Sequence, residues 1–263
     1  MHYAPVRLYD TPVLGFSNLT DDAVYALEQN FGAHHYDRLN VVVRTAQGSW
    51  ITDIDGRKYL DCLAAYSAAN LGHHHPKVVN ALMRALVGNY ASVISNVIYT
   101  DPLAMFLSKT AEFVPQLGPR FVRNGNKVMP KNGGVESVET AIKMARYYGF
   151  KEKNIPDGKQ EIIVFNNNFH GRMTTVISFS TQHKYRGGFG PLTPGFVSVE
   201  FGDLDAVKAA INKNTCGILV EPLQGEGGMR IPPAGFLKGL REIADDHDLL
   251  LLLDDIQVGL GRT

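Results

Sequence analysis

The chain has 263 residues, 44% of them hydrophobic and 20% charged, with 26 Lys plus Arg against 26 Asp plus Glu. That zero net charge argues against a general nucleic-acid binder, which needs a basic excess or stripe, and no apolar run reaches the roughly 18–20 residues of a membrane-spanning helix. The opening MHYAPVRLYD lacks the basic-then-apolar order of a signal peptide, and the sparse cysteines, Cys62 and Cys216, argue against a disulfide framework and for a reducing, cytoplasmic setting.

Residues 21–30 (DDAVYALEQN) predict a short helix with an acidic first turn. Short β runs follow at Val41–Val43 and Ser49–Ile54; Asp55-Gly56 is a turn signal, and Lys58–Cys62 reads as a third strand, giving a small β-rich meander. Pro76 opens a helix to about Val87, and Pro102 opens another carrying Leu103, Phe106, Leu107 and Ala111. Residues 137–148 (SVETAIKMARYY) give the clearest helical stripe: Val138, Ala141, Ile142 and Ala145 share a face, and Gly149 stops it. Beyond it, nearly continuous apolar runs at 161–165, 196–199, 217–220 and 249–253 alternate with helices near 203–211 and 235–247. That alternation predicts buried parallel strands in an α/β sheet, with sites at the carboxyl ends of the strands. Asn166-Asn167-Asn168, Glu221 and Asp254-Asp255 stand at those ends. A buried strand followed by only ten residues is an unusual finish for such a sheet, and truncation is expected on that ground alone.

Four segments carry the chemistry. In KNGGVES (131–137) adjacent glycines lead into a helix, so the N–H groups at Gly134 and Val135 read either as an anion cradle or as a plain turn and cap. It is neither GxGxxG nor a P-loop, so a nucleotide site is not supported. In NNNFHGRMTT (166–175) Phe169 reads as a stacking platform or as core packing, His170 sits in a polar turn, and Arg172 is a fixed cation or a surface charge. VEPLQGEGG (220–228) sets Glu221 at a strand end and Glu226 in a glycine-rich loop. LLLLLDDIQVGLGRT (249–263) sets Asp254 at the mouth of an apolar strand, where a carboxylate is costly to desolvate unless a cation, such as a protonated pyridine, meets it. Gln257 can donate to a phenolic oxygen, and Asp255 reads as an N-cap for a following helix. The run His73–His75 invites a metal reading, but no cysteine or acid stands nearby at ligand spacing, and a loop before the Pro76 helix is the simpler account.

In order and spacing these segments, together with FGAHHYDRLNVVV, DGRKYLDCLAAYSAANLGHHHPKVVNAL and GFGPLTPGF, resemble the class III, fold-type I pyridoxal-phosphate aminotransferases, and among them the ornithine aminotransferases. The likeness runs from about Phe31 to Thr263. It implies an α/β fold with a mostly parallel central sheet, helices on both faces and a small N-terminal β-rich segment. Residues 1–75 would be the N-terminal segment of a small domain, and 76–263 a large cofactor domain incomplete at its C-terminal end.

The resemblance also implies a pyridoxal 5′-phosphate cofactor. Gly134 and Val135 would hold its phosphate, Phe169 would stack on its ring, His170 would belong to the same pocket, Asp254 would pair with the ring nitrogen and Gln257 would contact the ring hydroxyl. Tyr36, Tyr66 and Arg172 match substrate-binding positions, and Glu226 matches a gate residue. The implied reaction moves the δ-amino group of L-ornithine to 2-oxoglutarate, in a homodimer or larger homo-oligomer. Rival readings are an acetylornithine or 4-aminobutyrate aminotransferase, and a non-catalytic binding or dimerisation module. Three positions depart from the family pattern. Gly133 replaces the usual Ser or Thr, Asp255 replaces Glu, and no lysine here occupies the Schiff-base position, which in the family lies beyond the point where this sequence ends. The chain alone is therefore expected to be nearly inactive.

Overall fold

The computed structural model describes residues 19–88, 90, 94–95, 97–113 and 126–263; the first ten residues, read above for a signal peptide, lie outside them. By its internal contacts the chain divides into two compact units, Met1–Asn89 and Tyr90–Thr263.

The first unit holds helix α1 (Asp21–Phe31), strands β1 (Val43–Gln47), β2 (Trp50–Asp53) and β3 (Lys58–Leu60), and helix α2 (Pro76–Val87). The Thr20 side chain caps α1 by accepting from Ala23 N. The three strands form an antiparallel meander. A two-residue turn joins β1 to β2 between the paired Gln47 and Trp50, and it opens on Gly48 at φ +58°, the left-handed value that such hairpins favour. The β run expected at Val41–Val43 is displaced: pairing with β2 starts at Val43 and extends to Gln47, so the cross-strand ladder, not the valine run, sets the strand.

The second unit contains α3 (Asp101–Phe113), α4 (Gly134–Lys151), β4 (Glu161–Phe165), the single-turn helices α5 (Thr174–Ile177) and α6 (His183–Arg186), β5 (Phe196–Val199), α7 (Leu204–Ala210), β6 (Thr215–Val220), α8 (Phe236–Asp246) and β7 (Leu250–Leu253). The strands are parallel in the order β5-β4-β6-β7. Alternation along β4 divides the core. Ile162 and Val164 face Val138, Ile142 and Ala145 of α4, whereas Ile163 and Phe165 face Val207 of α7 and Phe236, Leu240 and Ile243 of α8. Helices therefore cover both faces, as the unbroken apolar runs require. All six residues of β6 are buried. Because β5 lies on one side of β4 and β6 on the other, the chain reverses its winding direction beside β4, and the crevice opens at the carboxyl ends of β4 and β6.

Candidate active site

Three loops converge there. The loop after β4 carries Phe169 and His170, the loop after β6 carries Glu221, and the stretch after β7 carries Asp254, Ile256 and Gln257. With Gly134 and Val135 from the first turn of α4, they line one cleft. The first N–H groups of a helix have no partner within it. Here the Glu136 carboxylate accepts from the N–H groups of Asn132 (2.8 Å) and Gly133 (3.0 Å), just outside the helix. Those of Gly134 and Val135 precede Ser137, whose N–H makes the first bond back, to the Gly133 carbonyl.

Close approach fixes two glycines. A Cβ on Gly134 would lie 2.9 Å from Cδ1 of Ile256, so α4 can meet the segment after β7 only without a side chain. Gly171, at φ +116°, lies so near Val135 that a Cβ there would overlap its side chain, which lets the loop after β4 rest on the first turn of α4.

Asp254 continues the ladder of β7, its N–H donating to the Val220 carbonyl at 2.9 Å. Its Oδ2 accepts from Nδ1 of His170 at 2.7 Å, both side chains being nearly inaccessible, and its Oδ1 accepts from Ile256 N at 3.2 Å. The desolvation cost of this carboxylate is thus met in part by a buried imidazole. The other imidazole nitrogen, Nε2, is buried with no hydrogen-bond partner among the described residues. Glu221 is buried at the end of β6, and its Oε2 accepts from Phe169 N at 3.1 Å, tying the loop after β4 to the next strand. Burial pushes the Glu221 carboxyl up to about 7; attraction to His170 works against that rise, and repulsion from Asp254 reinforces it.

The cleft gathers Gly134, Val135, Phe169, His170, Asp254 and Gln257, the six residues to which the resemblance gives a cofactor role. Arg172 is exposed two residues beyond His170, its guanidinium 5.5 Å from the centre of the Tyr185 ring, which also meets Phe169 edge to face at 5.7 Å. Glu226 is exposed in the loop closed by the bridge between Gln224 and Arg230. In the first unit, Tyr36 lines a hollow between α1 and residues 33–43, and Tyr66 is half exposed in the loop after β3. His73 and His74 turn to different partners, Asp61 Oδ2 and the Ala46 carbonyl. Asp255 caps no α-helix: successive turns follow it, with Leu260 and Gly261 at positive φ.

Ile256 and Tyr185 join the candidate residues through their contacts with Gly134 and Phe169, and Glu221, from sequence simply an acid at a strand end, lines the cleft. A strand-end acid after a fully apolar strand was the available signal for Glu221; nothing local marks the other two.

The pattern of the family described as aminotransferase class-III matches residues 31–263. "Ornithine aminotransferase 2" of Staphylococcus aureus is 44% identical over 242 residues, which cover 92% of this chain and 58% of that protein. The ornithine aminotransferase from Toxoplasma gondii, described with pyridoxal phosphate at its active site, superposes with a TM-score of 0.83 at 32% identity, covering 92% of this chain and 54% of that one. The acetylornithine aminotransferase from Elizabethkingia anophelis gives a TM-score of 0.76 at 37% identity, with 92% and 57% covered. The chain thus spans somewhat over half the length of these relatives. With its matched segment running over both the β meander and the parallel sheet, the chain belongs to the class-III aminotransferases.

Proposed function

We propose that this chain forms the cofactor-binding part of an ornithine aminotransferase, which moves the δ-amino group of L-ornithine to 2-oxoglutarate. Class-III aminotransferases depend on pyridoxal 5′-phosphate, and the cleft's donor set suits that molecule at both ends. The α4 amides at Gly134 and Val135 suit a phosphate, and the buried Asp254 carboxylate suits a ring N–H. When bound, the cofactor supplies an electron sink for charge that develops on the substrate carbon. Asp254 would hold the proton on the ring nitrogen, and His170, bonded to Oδ2, would keep the carboxylate aimed. Phe169 would lie against the ring face, with its backbone pinned by Glu221. Gln257 would donate to the ring oxygen. Arg172 would hold a substrate carboxylate, Tyr36 and Tyr66 would orient ornithine, and Glu226 would gate the acceptor.

The observation that carries this reading is the buried Asp254–His170 pair in the same cleft as the open amides of α4. The names of the similar proteins favour ornithine over other donors. N-acetylornithine is the second reading, favoured by the 37% identity to the Elizabethkingia protein. The protein encoded by the gene, assayed with either donor and 2-oxoglutarate, is expected to turn over ornithine faster; preference for the acetylated donor would replace the first reading by the second. Residues 1–263 alone hold no lysine at the family's Schiff-base position, so by themselves they are expected to be slower by orders of magnitude.

A further inference from the structure

The loop after β3 carries a backbone conformation that nothing in the cleft explains. Ala64, Ala65, Tyr66 and Ser67 all have positive φ (47°, 48°, 55° and 74°), a left-handed turn built from residues with side chains. Such residues visit this region singly, at a cost, and a run of four persists only where the surroundings over-determine it. Packing does not do so, because none of residues 62–72 is buried.

Polar contacts do. Oδ1 of Asp61 accepts from Leu63 N (3.1 Å) and Ala64 N (2.8 Å) at the entrance to the turn. Oδ2 of the same carboxylate accepts from Nε2 of His73 at the loop's far end, at 2.8 Å. His73 is in turn bonded through its backbone to Gly48 in both directions, at 2.8 and 3.0 Å, which anchors the exit to the hairpin between β1 and β2. One carboxylate therefore closes a loop that carries the half-exposed Tyr66 near its middle.

We propose that Asp61 and His73 are positioning residues: they clasp the loop 61–73 so that its left-handed turn presents Tyr66 to the amino-acid substrate. This rests on the reading of Tyr66 as a substrate contact. The test compares wild type, His73→Ala and His73→Gln in the protein encoded by the gene; glutamine keeps an N–H donor of similar reach. Amide exchange over residues 62–69 is expected to accelerate at least about tenfold in His73→Ala and to return toward wild type in His73→Gln. KM for ornithine is expected to rise by about tenfold in His73→Ala with kcat nearly unchanged, and to recover in His73→Gln. Unchanged exchange in His73→Ala would overturn the proposal, and so would faster exchange without a rise in KM. A wild-type protein inert toward ornithine would instead count against the proposed function, and the exchange measurement would still judge the clasp.

Discussion

The Glu221 carboxylate lies 7% exposed at the end of β6, accepting the Phe169 N–H, and its pKa is raised from 4.5 to about 7 by burial. Between those values the folded chain holds a proton that the unfolded chain has released, so stability falls as pH rises through that window and the full penalty stands above about 7. The gap corresponds to roughly 3 kcal/mol. Glu221→Gln keeps an oxygen to accept from Phe169 and removes the titration. Denaturant midpoints measured from pH 4.5 to 7 are therefore expected to decline more steeply in wild type than in the variant. Parallel profiles would show that Glu221 does not titrate there. The same residue shows how far the sequence speaks: an acid after an apolar strand marks a strand end, but its bond to Phe169 spans 52 positions and has no local signature.

At the scale of elements, the start of α4 joins cap chemistry to ligand chemistry. Gly133 has an extended backbone (φ −133°), and a Cβ there would meet nothing within 4 Å. Gly133→Ser therefore fits without displacement and adds a hydroxyl beside the amides of Gly134 and Val135. A charge-assisted bond to phosphate contributes about 1.5–3 kcal/mol, so the variant is expected to bind pyridoxal phosphate roughly 10–100-fold tighter, read by absorbance titration. Unchanged or weaker binding would place the phosphate elsewhere. This helix also divides what the sequence reveals from what it hides. Its stripe from Val138 to Ala145 was legible, whereas its true start at Gly134 was not, because paired glycines carry almost no helical preference and tertiary contact with Ile256 fixes them. Strands β4 and β5 match their apolar runs to the residue; burial on both faces explains this for β4, whereas β5, outermost in the strand order, is only partly covered and leaves Ser198 exposed. The single-turn helices α5 and α6 are too short to show a period.

For the whole molecule, the parallel sheet is the device that makes a site from distant parts. His170 and Asp254 are 84 positions apart, yet the loop after β4 and the end of β7, on either side of β6, bring them together at 2.7 Å. Order and spacing of motifs made the membership of the cleft legible, while the pairing itself required the strand order β5-β4-β6-β7. The central claim is that Asp254, aimed by His170, holds a cationic pyridine ring in this cleft. Titrating pyridoxal 5′-phosphate into the chain and into Asp254→Asn, followed by absorbance and equilibrium dialysis, tests it most directly, with cofactor-free melting curves to check that both are equally folded. The account predicts saturable binding to wild type and affinity roughly 10–100-fold weaker in the variant; equal affinity in two equally folded proteins would contradict it.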